Sequence, residues 1–313
     1  MTHDDVVDDR PAALRRPPEP PAVYLDEVVG RALAEDLSGG DLTSAACVDA
    51  TRMAHAEAIA RDSLVVCGGA VFARAFALVD PSVEVAVAVQ DGDRVGPGEV
   101  IWRVAGLARS LLAAERVALN FVQRMSGIAT LAAAYTSAVT SGAATRIVDT
   151  RKTTPGLRPL ERYAVRVGGA YNHRDHLGAA VMIKDNHIAA AGGIEAAVAR
   201  ARAYAPHTCR VEVEVASLEQ LDEAMTSGVD IVMLDNMDDD TVRRALELVG
   251  DAPMRPLVEV SGGITREQIA VLSALGVDVI SVGALTHSAP AADISLLFRP
   301  GAGGRDATQH ASP

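Results

Sequence analysis

Residues able to do chemistry crowd into one stretch, Asp149 to Ile188, which reads DTRKTTPGLRPLERYAVRVGGAYNHRDHLGAAVMIKDNHI. It carries Arg151, Lys152, Arg158, Arg162, Arg166, Arg174 and Lys184 with His173, His176 and His187, against Asp149, Glu161, Asp175 and Asp185. The whole chain has a formal net charge of -12, so a locally cationic stretch calls for a reason. Of its 29 basic residues only Lys152 and Lys184 are lysines. An ammonium is a compact point charge on a flexible stem and does not stand in for a planar guanidinium. Both lysines flank short apolar runs, and both are read as meeting an anionic substrate. Arg151, His173 and Arg174 complete a cluster dense enough for several carboxylates or a pyrophosphate, with the arginines suited to bidentate carboxylate recognition. His176 and His187 are read equally well as members of this cluster or as groups that simply cap or pack.

A second group is acidic. Glu214 and Asp235 close neighbouring apolar runs, so their side chains can converge. Two such carboxylates either hold Mg²⁺ through water or bond sugar hydroxyls. Glu212 and Glu214 share one face of their run, and a buried acid needs a partner. Lys184 and Arg151 are available, and the alternative reading is a structural ion-pair network. A third group is Gly-rich: Ser261-Gly262-Gly263 and Gly283-Ala284 end the last two runs. Glycines let backbone N–H groups approach a phosphate closely, and a phosphate site after the final strands is a recurring barrel device.

The elements that must position these groups follow from periodicity. From Arg146 onward short apolar runs recur: Ile147-Val148, Ala180 to Ile183, Val211 to Val215, Ile231 to Leu234, Leu257 to Val260 and Val279 to Val282. Helical periodicity separates the later ones, at Leu218 to Thr226, Thr241 to Val249 and Arg266 to Leu275. A repeated β-α rhythm means a parallel sheet. No G-x-G-x-x-G follows a strand, which argues against a dinucleotide fold. Six strand signals are two short of a full eightfold barrel, so an incomplete or open barrel is expected, with its active site at the C-terminal strand ends. Before it, Tyr24 to Asp36 and Val71 to Val79 read as helices, and SGGDLTS as a loop. Ala54 to Ala60, Leu64 to Cys67, Val83 to Val89 and Val100 to Val104 read as strands of a mixed unit with hairpins. Ser110 to Val139 reads as a helix broken near Ser126-Gly127. Arg116 lies on it and, on sequence alone, reads as a solvated surface charge.

Composition bounds the rest. A length of 313 residues allows one large or two medium domains, and the Ala- and Val-led apolar content suits an α/β enzyme. The acidic balance argues against nucleic-acid or membrane-surface binding. Cys47, Cys67 and Cys209 are odd in number and widely spaced, which indicates neither a zinc site nor a disulfide framework and points to a reducing cytoplasm. Residues 1–20 and 301–313 read as a disordered leader and tail.

At these residues the chain resembles the quinolinate phosphoribosyltransferases, the carboxylating nicotinate-nucleotide pyrophosphorylases of NAD biosynthesis. The resemblance runs from about Tyr24 to Leu297. It is carried by ERVALNFVQRMSGIAT, the DTRKTTPGLRPLERYA stretch, GGAYNHRDHL, IKDNHI, EVEV, VMLDN, EVSGGI and SVGALTHS. It implies an N-terminal α/β sandwich over 21–116 and an α/β barrel over 117–287, with 288–300 packing back on the sandwich. It implies the reaction of quinolinate with phosphoribosyl pyrophosphate (PRPP) to nicotinate mononucleotide, pyrophosphate and carbon dioxide, with Mg²⁺. By resemblance Arg151, His173, Arg174 and Lys184 clamp the quinolinate carboxylates, and Arg116 is lent to that site by a partner subunit. Thr150 and Lys152 contact the substrates. Glu214 and Asp235 approach the ribose hydroxyls and Mg²⁺. Ser261, Gly262 and Gly263 with Val282, Gly283 and Ala284 hold the ribose 5-phosphate. Catalytic roles fall to Lys152, Lys184, Glu214 and Asp235. A homodimer is the minimal active unit implied, and a hexamer the larger assembly.

Overall fold

The computed structural model describes residues 17–250, 252 and 254–299. Apart from residues 17–20, the expected leader and tail lie outside them. The chain divides into two compact units: one takes the chain up to Thr130 together with the stretch from Pro290 onward, the other Leu131–Ala289.

In the first unit the alternating pattern of the early strands produces an antiparallel sheet. Its strands are β1 (Met53–Ala60), β3 (Glu84–Val87), β5 (Val100–Leu107) and β12 (Ile294–Arg299), in the order β12-β1-β5-β3. The late strand β12 therefore belongs to this unit, paired along β1 from His55–Arg299 to Ala60–Ile294. A small ladder joins β2 (Leu64–Val65) to β4 (Arg94–Val95). The core is made by Phe72, Phe76 and Trp102, all with no exposed surface, and the rings of Phe72 and Trp102 stack at 4.6 Å. The SGGDLTS segment is not wholly a loop. Asp41 accepts the Ser44 N–H at 2.9 Å and so starts a short helix, Leu42–Cys47.

The expected break near Ser126-Gly127 is absent, because Ala108–Thr136 is one continuous helix. The small residues serve packing instead. A Cβ at Gly127 would run into the Pro290 carbonyl oxygen, and Ser126 Oγ bonds both the N–H and the carbonyl of Cys67. The division between the units falls within this helix, further along than the 116/117 boundary suggested by the sequence.

The second unit is the repeated β-α portion. Six parallel strands, β6 (Arg146–Val148), β7 (Val181–Ile183), β8 (Val211–Val215), β9 (Ile231–Asp235), β10 (Leu257–Ser261) and β11 (Val279–Ser281), stand in the order β6-β11-β10-β9-β8-β7. The sheet does not close: β6 and β7 are its two edges, and β6 gains only a parallel bridge from Val148 to Tyr171. Its centre is apolar, with Val213, Val232, Leu234, Val258 and Ile280 fully buried. Helices with one apolar stripe cover it, among them Leu218–Thr226, Asp239–Gly250 and Arg266–Leu275. No helix among the described residues is long and apolar enough to cross a membrane.

Candidate active site

The C-terminal ends of the six strands surround a hollow of about 350 Å³. Its lining includes Thr150, Arg151, Lys152, His173, Arg174, Lys184, Glu214, Asp235 and Ser261. Nine residues named from sequence are thus brought together from six separate chain segments. The three groups of chemistry differ in how they are held.

Lys184 follows β7 and forms an ion pair with Glu214 at the end of β8. Lys152 follows β6. Its carbonyl accepts from Thr286 Oγ1 at 2.8 Å, and its side-chain stem lies against Gly283, where a Cβ would sit 3.2 Å from Lys152 Cδ. Arg174 donates to the Ala180 carbonyl at 3.0 Å. Burial lowers the Arg174 pKa, as does the nearby Arg151 charge, so these cations are crowded against one another. His173 is held from below: its Nε2 lies 3.6 Å from Glu212 Oε2 and 3.4 Å from Glu259 Oε2. Burial alone would depress His173, but hydrogen bonds to Glu212 and Glu259 outweigh it and raise the pKa to about 10. The Arg174 N–H points at Nδ1 at 2.7 Å, so the ring is fixed from both sides, with Nε2 facing the two acids. Burial in turn raises Glu212. The partner of Glu212 is therefore His173, not the Lys184 or Arg151 that the sequence offered.

Asp235 ends β9 and accepts from Asn236 Nδ2 at 2.8 Å. Asn236 has φ 54, and its N–H donates to the Ser261 carbonyl at 3.0 Å. Gly262, at φ 101, runs so close to Asn236 that a Cβ would meet its backbone nitrogen at 2.9 Å. The turn after β10 is thus built on glycine for a close backbone approach. Gly262 and Gly263, like Val282, Gly283 and Ala284, do not line the hollow but directly follow two residues that do, Ser261 and Ser281.

Three of the seven cations in the central stretch are elsewhere. They sit on the helix Arg158–Val167 and tie backbone together. Arg158 donates to the carbonyls of Asp175 and Arg151, Arg162 to Asp149 and the Arg174 carbonyl, and Arg166 to the Ala170 carbonyl. His176 accepts from the Gly178 N–H and His187 from the Lys184 N–H, the capping alternative. Arg116 is exposed on the long helix of the first unit.

Polar atoms around the hollow have spare bonding capacity. Arg151 Nε, Glu212 Oε1, Glu259 Oε1 and Ser281 Oγ are buried without a hydrogen-bond partner. Such groups are expensive to leave unpaired and suit a site that takes a polar ligand.

Residues 41–126 match the family model described as quinolinate phosphoribosyl transferase, N-terminal domain, and residues 128–297 the model for its C-terminal domain. The chain belongs to the quinolinate phosphoribosyltransferase family. A relative from Bacillus subtilis, named a probable nicotinate-nucleotide pyrophosphorylase [carboxylating], is 43% identical over 88% of this chain and 93% of its own. The nicotinate-nucleotide pyrophosphorylase [carboxylating] of Mycobacterium leprae is 42% identical over 86% of this chain and 95% of its own. The crystal structure of NadC from Streptococcus pyogenes has a TM-score of 0.85 at 42% identity and covers 91% of this chain and 100% of its own.

Within this family fold, Met182, Met233, Glu259 and Ser281 also line the hollow and were not singled out in the sequence. A signal existed. In VEVEV and LVEVS every second residue shares a face, so Glu259 accompanies Ser261 as Glu212 accompanies Glu214.

Proposed function

We propose that this enzyme transfers the phosphoribosyl group of PRPP to quinolinate with decarboxylation, giving nicotinate mononucleotide, pyrophosphate and carbon dioxide. The observation that carries the reading is the gathering of Arg151, Lys152, His173, Arg174 and Lys184 around one hollow together with Glu214 and Asp235. A dicarboxylate acceptor needs several cations on one side, and a developing oxocarbenium needs carboxylates on the other.

The residues divide the work. Arg151, Arg174 and Lys184, with His173 beneath, hold the two quinolinate carboxylates, and their fixed positions aim the ring nitrogen at the ribosyl carbon. Thr150 and Lys152 contact the phosphoribosyl substrate. Glu214 and Asp235 bond the ribose hydroxyls and stabilise positive charge at the ribosyl carbon as the bond to pyrophosphate lengthens. The backbone after Ser261 and Ser281 receives the 5-phosphate through Gly262, Gly263, Val282, Gly283 and Ala284. Once the ring nitrogen is alkylated and positive, it draws in the electron pair released when the adjacent carboxylate leaves. Lys152 and Lys184 are the two ammonium groups in reach to protonate that carbon.

Glu214 and Asp235 fit Mg²⁺, which takes one or two carboxylates together with substrate phosphates. They would hold it near the leaving pyrophosphate, whose charge it neutralises when bound. The exposed Arg116 suits a second subunit's site, and a homodimer with Arg116 completing its neighbour's clamp is the assembly this reading favours, in the cytoplasm.

The test is product analysis. Pyrophosphate and carbon dioxide should appear in equal amounts only with quinolinate, PRPP and Mg²⁺ together. Turnover of nicotinate in place of quinolinate, without carbon dioxide, would overturn the reading.

A further inference from the structure

The two cationic segments of the site come from different parts of the chain. Thr150, Arg151 and Lys152 extend the end of β6, whereas His173 and Arg174 follow a helix and a turn more than twenty residues later. Between them lies Asp149, the last residue before the first segment, with no exposed surface. Its Oδ1 accepts the His173 backbone N–H at 2.7 Å and Arg162 Nη1 at 3.2 Å. Its Oδ2 accepts Asn172 Nδ2 at 2.6 Å, and its own N–H donates to the Tyr171 carbonyl at 3.1 Å. The bracing closes on itself. Arg162 also reaches the Arg174 carbonyl at 3.4 Å, and Asn172 donates a second bond to the Arg162 carbonyl at 3.0 Å.

We propose that Asp149 is a positioning residue that holds Thr150–Lys152 and His173–Arg174 at a fixed separation, and so sets the spacing of the carboxylate clamp. Asp149 does not line the hollow. It acts through the backbone of His173 and through Arg162. A buried carboxylate is costly and is retained where its charge-assisted bonds do something that an apolar side chain cannot. Here all its bonds run to the segment that carries the second half of the clamp, or to the helix residue that braces it. Burial pushes the Asp149 carboxyl up to about 6, against the pull of Arg162, the His173 N–H and Asn172, so near neutral pH it is still the acceptor the geometry requires. The charged groups facing it are Arg162, from the helix Arg158–Val167, and His173.

The proposal rests on the reaction above for the identity of the clamped ligand, and its test therefore includes a readout that needs no substrate. In the full-length protein, Asp149→Asn keeps the shape but sets an amide N–H against donors. Hydrogen exchange of the peptide carrying His173 and Arg174 should speed up by about tenfold or more, as expected for loss of charge-assisted bonds. Quinolinate KM should rise about 10- to 100-fold while the KM for PRPP stays within about threefold, since the segment set loose, His173–Arg174, holds quinolinate alone, whereas Thr150–Lys152 stays anchored to β6 and, through the Lys152 carbonyl, to Thr286. Unchanged exchange, or both KM values rising together, would overturn the proposal. A fall in thermal stability with unchanged KM values would reduce Asp149 to a structural acid and overturn it as well. If Asp149→Asn does not fold, Asn172→Ala removes the bonds to Asp149 Oδ2 and to the Arg162 carbonyl while leaving Asp149 paired with Arg162, and should move the same two readouts in the same direction. A wild type that releases no carbon dioxide would sink the proposed reaction, while the exchange result would still decide whether Asp149 holds the two segments together.

Discussion

The six-stranded sheet has two ends, and both carry arginines and acids around a hollow. The N-terminal end has the larger one, about 1230 Å³, lined by Arg146, Arg202, Arg210, Arg255, Asp230 and Asp278 among others. Its charges are mostly used up. Arg255 pairs with Asp278 at 2.9 Å, Arg202 with Asp230 at 3.5 Å, and Arg146 lies over the Tyr171 ring. Asp230 and Asp278 also accept the N–H groups of Val211 and Val258 at the strand starts. The C-terminal end has the smaller hollow, but it holds both lysines of the chain, a histidine fixed by two buried acids and polar atoms without partners. Volume therefore does not tell the two ends apart in kind. The type of cation and the unspent bonding capacity do.

The comparison breaks most sharply at His173. His173→Ala leaves Glu212 and Glu259 buried without their shared cation, which costs about 3–5 kcal/mol when a buried pair loses one member. The urea midpoint should fall accordingly, and quinolinate KM should rise with it. The same residue sets a pH dependence. Its pKa is raised from 6.5 to about 10 in the folded protein. The stability it contributes is complete below 6.5 and is lost as pH rises through about 10. Wild-type urea midpoints measured across that window should decline, and His173→Ala should flatten the decline.

Gly262→Ala forces a side chain into left-handed backbone against Asn236. The expected loss is about 1–3 kcal/mol of stability, with a raised KM for PRPP and little change for quinolinate. The smallest effect belongs to the other end. Arg255→Ala breaks a partly exposed pair, and such pairs are worth about 0–1 kcal/mol. A calorimetric scan should shift by a few degrees at most, and steady-state assays should show both KM values unchanged.

The sequence made much of this legible because strand ends announce themselves. Each apolar run from β6 to β11 is short, stops at a polar or glycine signal and leaves its chemistry at the stop. Most of the hollow was named that way, while His173 and Arg174, which follow a helix and a turn, were named from the charge of the central stretch. What stayed hidden depends on contacts across the fold. Glu259 is one step back from the strand end, and its role appears only when β10 brings it beside Glu212 under His173. The arginines of the helix Arg158–Val167 count toward the cationic stretch in one dimension, and only the fold shows that they brace backbone and Asp149. The helix Ala108–Thr136 was read as broken because Ser126-Gly127 resembles a stop, whereas those residues are small to let Cys67 and Pro290 approach. The helix Leu42–Cys47 depends on a single cap, Asp41, within a segment that otherwise looks like a loop.

The most direct test of the account is carbon dioxide release from carboxyl-labelled quinolinate, with PRPP and Mg²⁺, by the wild type, Lys152→Ala and Arg255→Ala. The account predicts that Lys152→Ala falls by about 10²- to 10³-fold, as for loss of one fixed charge at a reacting centre, while Arg255→Ala matches the wild type. Retained release by Lys152→Ala, or an equal fall in Arg255→Ala, would contradict the assignment of the chemistry to the C-terminal end of the sheet.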